Sequence, residues 1–477
     1  MTLDPADWSA FRQQAHRMLD DMLDYLEHLR QRPTWQPLPV TKGSFFRQAS
    51  PQEPQELSQV HQEFMDYILP YTIGNPHPGF MGWVHGGGTP VGMLAEMLAG
   101  GLNVNAGGRH QAPIQLERQL LSWIRHWFEF PPQASGLFVT GTSMANLIGV
   151  WIAQRARLGP TLRQQGLAAQ AQRPLIAYAS AGAHGCIAQA LDLSGLGTQA
   201  LHLIPMNDQY QMDTDALRAR VQADRAAGLE PFLVVGTAGS VDVGAVDDLA
   251  DLASFCRAQE LWFHVDGAYG ALGCLSPQLA PYLAGIQQAD SIAFDFHKWG
   301  QVPYDAGFIL VREDTLQRQT FATPAAYLRR DTRGAAAGSP WPCDYGPDLS
   351  RGFRALKTWF TLKVYGTRAL GEMMANTCTL AQQLGALISA HPRLELLAPI
   401  TLNIVCFRFR CPDPNTVNAQ LLMELHESGL ALPSSTTLQG QFALRAAIVN
   451  HRTTLQDLET LVAAVLHFGM LLAPEPN

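Results

Sequence analysis

Two short segments carry the residues best suited to chemistry. The first reads His264-Val265-Asp266-Gly267-Ala268-Tyr269, the second Asp295-Phe296-His297-Lys298-Trp299. Each brings ionisable groups to the end of an apolar run. Trp262, Phe263 and Val265 lead into Asp266; Ile292, Ala293, Phe294 and Phe296 lead into His297 and Lys298. Such runs read as strands, and in α/β proteins ligands sit at strand ends. A lysine amine can form a Schiff base with an aldehyde, and a carboxylate can keep a pyridine nitrogen protonated. Together they suit pyridoxal 5′-phosphate (PLP), whose protonated ring draws electrons from a breaking bond. A lone lysine is ordinarily surface charge, and a lone aspartate ordinarily caps a helix. Burying an ammonium is costly, and only 33 of 477 residues are Lys or Arg, so the pair favours the cofactor reading.

Two further features fit the same ligand. Gly141-Thr142-Ser143 follows an apolar run and precedes a helical stretch, Met144–Leu158. Free N–H groups, two hydroxyls and the positive end of a helix make an anion site. Taken alone, Thr142 and Ser143 would be ordinary capping residues. His184, in Ser180-Ala181-Gly182-Ala183-His184, also follows a strand-like run. It reads as a surface residue by itself and as a ring stacked on a planar cofactor in this company.

Elements that position these residues are legible in the patterning. Seven apolar runs alternate with helix-sized gaps: 136–140, 175–180, 200–206, 232–238, 262–268, 291–296 and 306–312. Near-continuous apolar strands separated by helices imply a mostly parallel sheet buried on both faces. The short gap before the last run permits one antiparallel strand. Residues 8–30 have helical spacing with one broad apolar face (Trp8, Phe11, Met18, Met22, Leu26, Leu29), followed by a proline-rich connector. Residues 328–347 read as a long mobile loop of lid type, and 351–374 as a long helix. The remainder alternates helix and strand, with strands over 403–408 and 442–449. The expected division is an N-terminal helical and dimerisation segment (1–88), a large cofactor-binding domain (89–365) and a small α+β domain (366–477).

Composition narrows the class. The formal net charge is −8, so nucleic acid is not an expected partner. No apolar run reaches roughly 18 residues free of charged and polar groups, and no leader pattern opens the chain; a cytoplasmic protein without a membrane segment is expected. Seven scattered cysteines without C-x-x-C argue against zinc or a disulfide framework, and no metal is expected.

The combination resembles the group II PLP-dependent amino acid decarboxylases, in particular the aromatic-L-amino-acid branch and its bacterial relatives. The resemblance spans residues 15–455. Its most specific parts are 264–269 and His297-Lys298-Trp299. Support comes from Pro51-Gln52-Glu53-Pro54, His77-Pro78-Gly79-Phe80, Glu117 in Leu116-Glu117-Arg118-Gln119, and Arg354-Ala355-Leu356-Lys357-Thr358-Trp359. It implies the PLP-dependent transferase fold type I, a homodimer, and loss of the α-carboxylate of an L-amino acid as CO2. By the same resemblance Lys298 is the Schiff-base lysine and Asp266 the partner of the pyridine nitrogen. His184 stacks on the ring, and Thr142 and Ser143 hold the phosphate with help from Asp295 and His297. Thr237 approaches the ring hydroxyl, and Tyr327 returns a proton to the substrate carbon.

Three positions depart from the family pattern. Asp295 stands where animal relatives have Asn. The phosphate turn has Thr142-Ser143 where many members have Gly-Thr or Ala-Ser. Around the substrate entry, Trp83 is followed by Val84-His85-Gly86-Gly87-Gly88, and the segment expected from the partner subunit reads Asn103-Val104-Asn105. A pocket of Trp83, His85, Asn103 and Asn105 is more polar than the branch's apolar wall and sits poorly with a catecholic or indolic substrate. Competing outcomes are oxidative deamination to an aldehyde, another fold-type-I reaction such as amino transfer, and a silent binding or regulatory protein.

Overall fold

The computed structural model describes residues 2–170, 172–323 and 329–474. Its first strand, β1 (Phe80–Met81), joins a small sheet completed near the C-terminus. The next seven form the large sheet: β2 (Ser135–Val139), β3 (Leu175–Ser180), β4 (Leu201–Ile204), β5 (Glu230–Thr237), β6 (Trp262–Asp266), β7 (Ser291–Asp295) and β8 (Gly307–Val311). Their order is β2-β8-β7-β6-β5-β3-β4. The neighbours from β4 to β7 are parallel. β8 alone runs antiparallel, against both β2 and β7. This is the expected fold-type-I sheet, with its one reversed strand reached by the short connection after Lys298.

Every position of β3, β7 and β8 is buried, so helices cover both faces. The helix Thr142–Leu158 packs Leu147 and Val150 against β3 and β5, and Ile148 and Ile152 against β2, β7 and β8. The opposite face holds an aromatic cluster of Phe138, Phe294, Phe296 and Phe308, with ring centroids 5.0–6.5 Å apart. Burying each such ring contributes about 1.5–3 kcal/mol.

The last strands, β9 (Leu394–Leu396), β10 (Ile404–Phe409), β11 (Leu432–Leu438) and β12 (Gln441–Ala447), complete the small sheet in the order β1-β11-β12-β10-β9. The sequence reading anticipates β10 and β12 but not the others. β9 and β1 are too short to show a period, and Ser434-Ser435-Thr436-Thr437 fill the middle of β11. Because β1 pairs with β11 (Phe80↔Leu432), the N-terminal segment and the C-terminal strands share one sheet. One compact unit therefore comprises Met1–Trp83, Gln383–Leu397 and Cys406–Asn477; the other comprises Val84–Gln382 and Ala398–Val405. This division differs from the expected cuts at 88 and 365. A helical break does fall at Gly366 (φ 78°, ψ 154°), inside the helix Arg354–Ser389.

In the loop expected over 328–347, residues 329–347 are mostly irregular and are tethered at several points. Trp341 is buried and donates its indole N–H to Ala337 O at 2.9 Å. Arg330 lies 3.5 Å over that ring and pairs with Asp344 at 2.7 Å. Arg118 donates to Gly338 O and Pro340 O.

A buried ion pair anchors the start of β2's supporting layer. Arg351 grips Glu117 through two nitrogens (2.7 and 3.1 Å) and also donates to Phe138 O and Ala106 O. Both side chains are excluded from solvent. Removing one partner of such a pair strands a buried charge. Arg351→Met is expected to lower the unfolding free energy by about 3–5 kcal/mol, read by urea denaturation against the parent chain.

Candidate active site

The chemistry-bearing residues line one edge of the large sheet. Thr237 ends β5, Asp266 ends β6 and Asp295 ends β7; Thr237 and Asp266 are direct register partners. Lys298 follows β7, His184 follows β3, and Thr142 opens the helix after β2. A Cβ placed on Gly141 would meet His297 Cε1 at 3.5 Å and Asp295 Oδ1 at 3.8 Å. The phosphate-type turn and the lysine strand therefore abut.

Asp266 is wholly buried. Burial pushes its carboxyl above the usual carboxylate range, while the charge of Lys298, the Ala268 N–H, His184 and the Asn146 amide pull it back. Its Oδ1 accepts from Ala268 N at 3.1 Å, and its Oδ2 from Asn146 Nδ2 at 3.1 Å. Lys298 is partly exposed, with Nζ 3.2 Å from Asp295 Oδ2. His297 Nδ1 accepts from Ala306 N–H at 2.9 Å. That leaves the proton of a neutral ring on Nε2, facing Asp295 Oδ2 at 3.6 Å. Burial holds His297 below its ordinary range despite the neighbouring Asp295. His184 sits on an exposed turn, and its Nδ1 accepts from Cys186 N–H at 3.1 Å.

Three buried oxygens at this edge have no hydrogen-bond partner among the described residues: Thr142 Oγ1, Thr237 Oγ1 and Asp295 Oδ1. An unsatisfied buried polar atom costs about 1–3 kcal/mol. Two hydroxyls and a helix N-terminus facing one edge suit an anionic ligand that also carries a ring hydroxyl, and the residues present fit PLP. Ser143, by contrast, is exposed. Asp295 directs one oxygen at Lys298 and the other towards the Gly141 turn, so a carboxylate stands beside the anion site.

The expected substrate-entry residues fare differently. His85 is partly buried and meets Tyr304 edge-on at 6.0 Å; Tyr304 in turn lies 4.3 Å from His297. Burial and then the charge of Lys298 hold His85 below its ordinary range. It is therefore a neutral imidazole near the lysine. Asn103 is exposed and ends the helix Pro90–Leu102 in a left-handed conformation (φ 45°). Asn105 Oδ1 accepts from Gly107 N and Arg351 N at 2.8 and 3.0 Å, which commits it to the scaffold. Trp83 belongs to the other compact unit; it is exposed, and its backbone is held by Ser434 and Arg445. Tyr327 lies outside the described residues.

Two further residues complete the site, of which Asn146 was not singled out from the sequence. A Cβ on Gly86 would meet the carbonyl oxygens of His297 and Lys298, each at 2.4 Å. Gly86 is therefore where the entry segment touches the lysine backbone. Asn146 lies four positions after Thr142 on the same helix, and that polar intrusion into an apolar run was the available signal. The remaining motif residues are scaffold: Arg354 pairs with Asp305, and Lys357 with Glu96.

The model of the pyridoxal-dependent decarboxylase conserved domain matches residues 39–410. The chain belongs to the pyridoxal-dependent decarboxylase family. An aromatic-L-amino-acid decarboxylase of Bacillus atrophaeus is 30% identical over 459 residues, covering 94% of this chain and 93% of that protein. A phenylacetaldehyde synthase of Arabidopsis thaliana is 28% identical over 464 residues, covering 94% and 93%. Among solved structures, the Oryza sativa TDC with PLP and tryptamine superposes with a TM-score of 0.89 at 23% identity, covering 99% of this chain and 100% of that one. This member of the pyridoxal-dependent decarboxylases is a PLP-dependent carboxy-lyase that acts on an amino acid.

Two outcomes follow from the geometry. The methyl of Gly86→Ala would lie 2.4 Å from the carbonyl oxygens of His297 and Lys298; the substitution is expected to lower the melting temperature and weaken PLP retention, measured by thermal denaturation and dialysis. His264, buried beneath Asp266, has its imidazole pulled from 6.5 to about 3 by burial. Between those values the unfolded state binds the proton and the folded state does not, so folding gains stability as pH rises. Unfolding free energy measured from pH 4 to 6.5 should climb more steeply in the parent than in His264→Gln.

Proposed function

We propose that this decarboxylase releases the α-carboxylate of an L-amino acid as CO2 and leaves the primary amine. The observation that carries the reading is the abutment of Lys298, Asp295 and the Thr142 turn beside buried Asp266. Bound PLP supplies a protonated ring able to accept the electrons of the breaking bond. Lys298 holds the cofactor's aldehyde and yields it to the substrate amine. Asp266, an anion in a dry site, keeps the ring nitrogen protonated. Thr142 and the helix N-terminus take the phosphate, and Thr237 takes the ring hydroxyl. His184 would cover the ring face and help orient the substrate carboxylate. Tyr327 delivers the proton that replaces CO2.

His85 bears on substrate choice. A neutral imidazole presents both a donor and an acceptor, which favours a substrate whose side chain carries polar groups. The enzyme is proposed to work as a cytoplasmic homodimer. The exposed Trp8 and Phe11 on the helix Trp8–Glu27 are an apolar surface of the kind a second subunit covers.

A screen of L-amino acids with PLP, scored for CO2 and amine, tests the reading; keto-acid-dependent amino transfer would overturn it. Lys298→Ala should abolish both the visible absorption of bound cofactor and CO2 release. Tyr327→Phe should divert product towards aldehyde with ammonia and peroxide. An active monomer in sedimentation would remove the dimer.

A further inference from the structure

Behind Asp266 runs a chain of buried and half-buried side chains that the reaction does not itself require. Trp262 Nε1 lies 2.9 Å from Ser291 Oγ, and Ser291 Oγ lies 2.7 Å from His264 Nδ1. His264 Nε2 lies 2.8 Å from Asn146 Oδ1, and Asn146 Nδ2 lies 3.1 Å from Asp266 Oδ2. The two ends fix its direction. An indole N–H can only donate, and an ionised carboxylate can only accept. The Ser291 hydroxyl therefore accepts from Trp262 and gives its hydrogen to His264 Nδ1. The imidazole carries its proton on Nε2 and donates to Asn146, whose amide donates to Asp266. Reversing the Asn146 or His264 link sets two buried acceptors face to face.

The fold makes room for this chain. A Cβ on Gly149, in the middle of the helix Thr142–Leu158, would meet the His264 ring at 2.8 Å. A glycine there costs the helix roughly 1 kcal/mol relative to alanine. With burial as its only perturbation, His264 stays neutral, so it transmits hydrogen-bond polarity and not charge.

We infer that Trp262, Ser291, His264 and Asn146 are positioning residues that hold Asp266 as an oriented anion and so set its grip on the cofactor's ring nitrogen. Aligned hydrogen bonds reinforce one another in a low-dielectric interior, and a bond to a charged group is stronger than a neutral one. The inference rests on the proposed role of Asp266.

The test titrates apoprotein with PLP and with the analogue in which carbon replaces the ring nitrogen, following binding by protein fluorescence. The parent should prefer PLP. His264→Leu should shrink that preference by about tenfold, while His264→Gln, which keeps an N–H donor, should retain it within about threefold. Ser291→Ala should reduce it as well, and serves if the leucine variant does not fold. Equal weakening of both ligands in the variants, with preference unchanged, would mean packing alone and would sink the inference. A parent without preference would overturn the role of Asp266 itself, and the relay with it.

Discussion

An anion wholly removed from water is the constraint around which this molecule is arranged. Asp266 has no solvent to stabilise its charge, and desolvating a carboxylate is among the largest penalties a fold can carry. Its surroundings answer that penalty with an N–H for each oxygen and with the positive charge of Lys298. Strand order does the rest. β6 lies between β5 and β7, so Thr237 and Lys298 flank the carboxylate on either side.

The opposite problem arises at Lys298. In its proposed role Lys298 forms and releases a covalent link, so it cannot be locked in a strong ion pair, yet it cannot be left to wander. Asp295 holds it by one oxygen at 3.2 Å, and the amine remains partly open to solvent. The ring of His297 is fixed from behind by Ala306 and covered by Tyr304. Gly86 presses against the backbone of both residues. Position is thus imposed on the main chain, and the amine keeps its freedom.

Much of this was readable in advance, for physical reasons. Buried parallel strands are long apolar runs, so all seven strands of the large sheet stand out, and an ionisable residue ending such a run is conspicuous. The small sheet was only partly legible: β11 is built from serines and threonines, and β1 has two residues. Tertiary pairing, not local preference, makes them strands. The hydrogen-bond chain behind Asp266 was invisible because its members come from three separate elements, the helix after β2 and the strands β6 and β7. The tethers of residues 329–347 were not legible because small polar residues give no sign of a packed loop; a single buried tryptophan and the arginine over it supply them.

The reversed strand β8 has a bearing on how the chain comes to be assembled. β2 has one neighbour in the sheet, β8, and β8 is made only after every other strand of that sheet. As the chain emerges from the ribosome, the Thr142 turn therefore has no finished wall beside it until residues 307–311 arrive. Distant pairings form slowly because the loop must close before contacts reward it. The parallel strands β3 to β7 can assemble first, and the edge that carries the Thr142 turn is completed last. Competence to take up PLP is thus a late event in the life of the nascent chain.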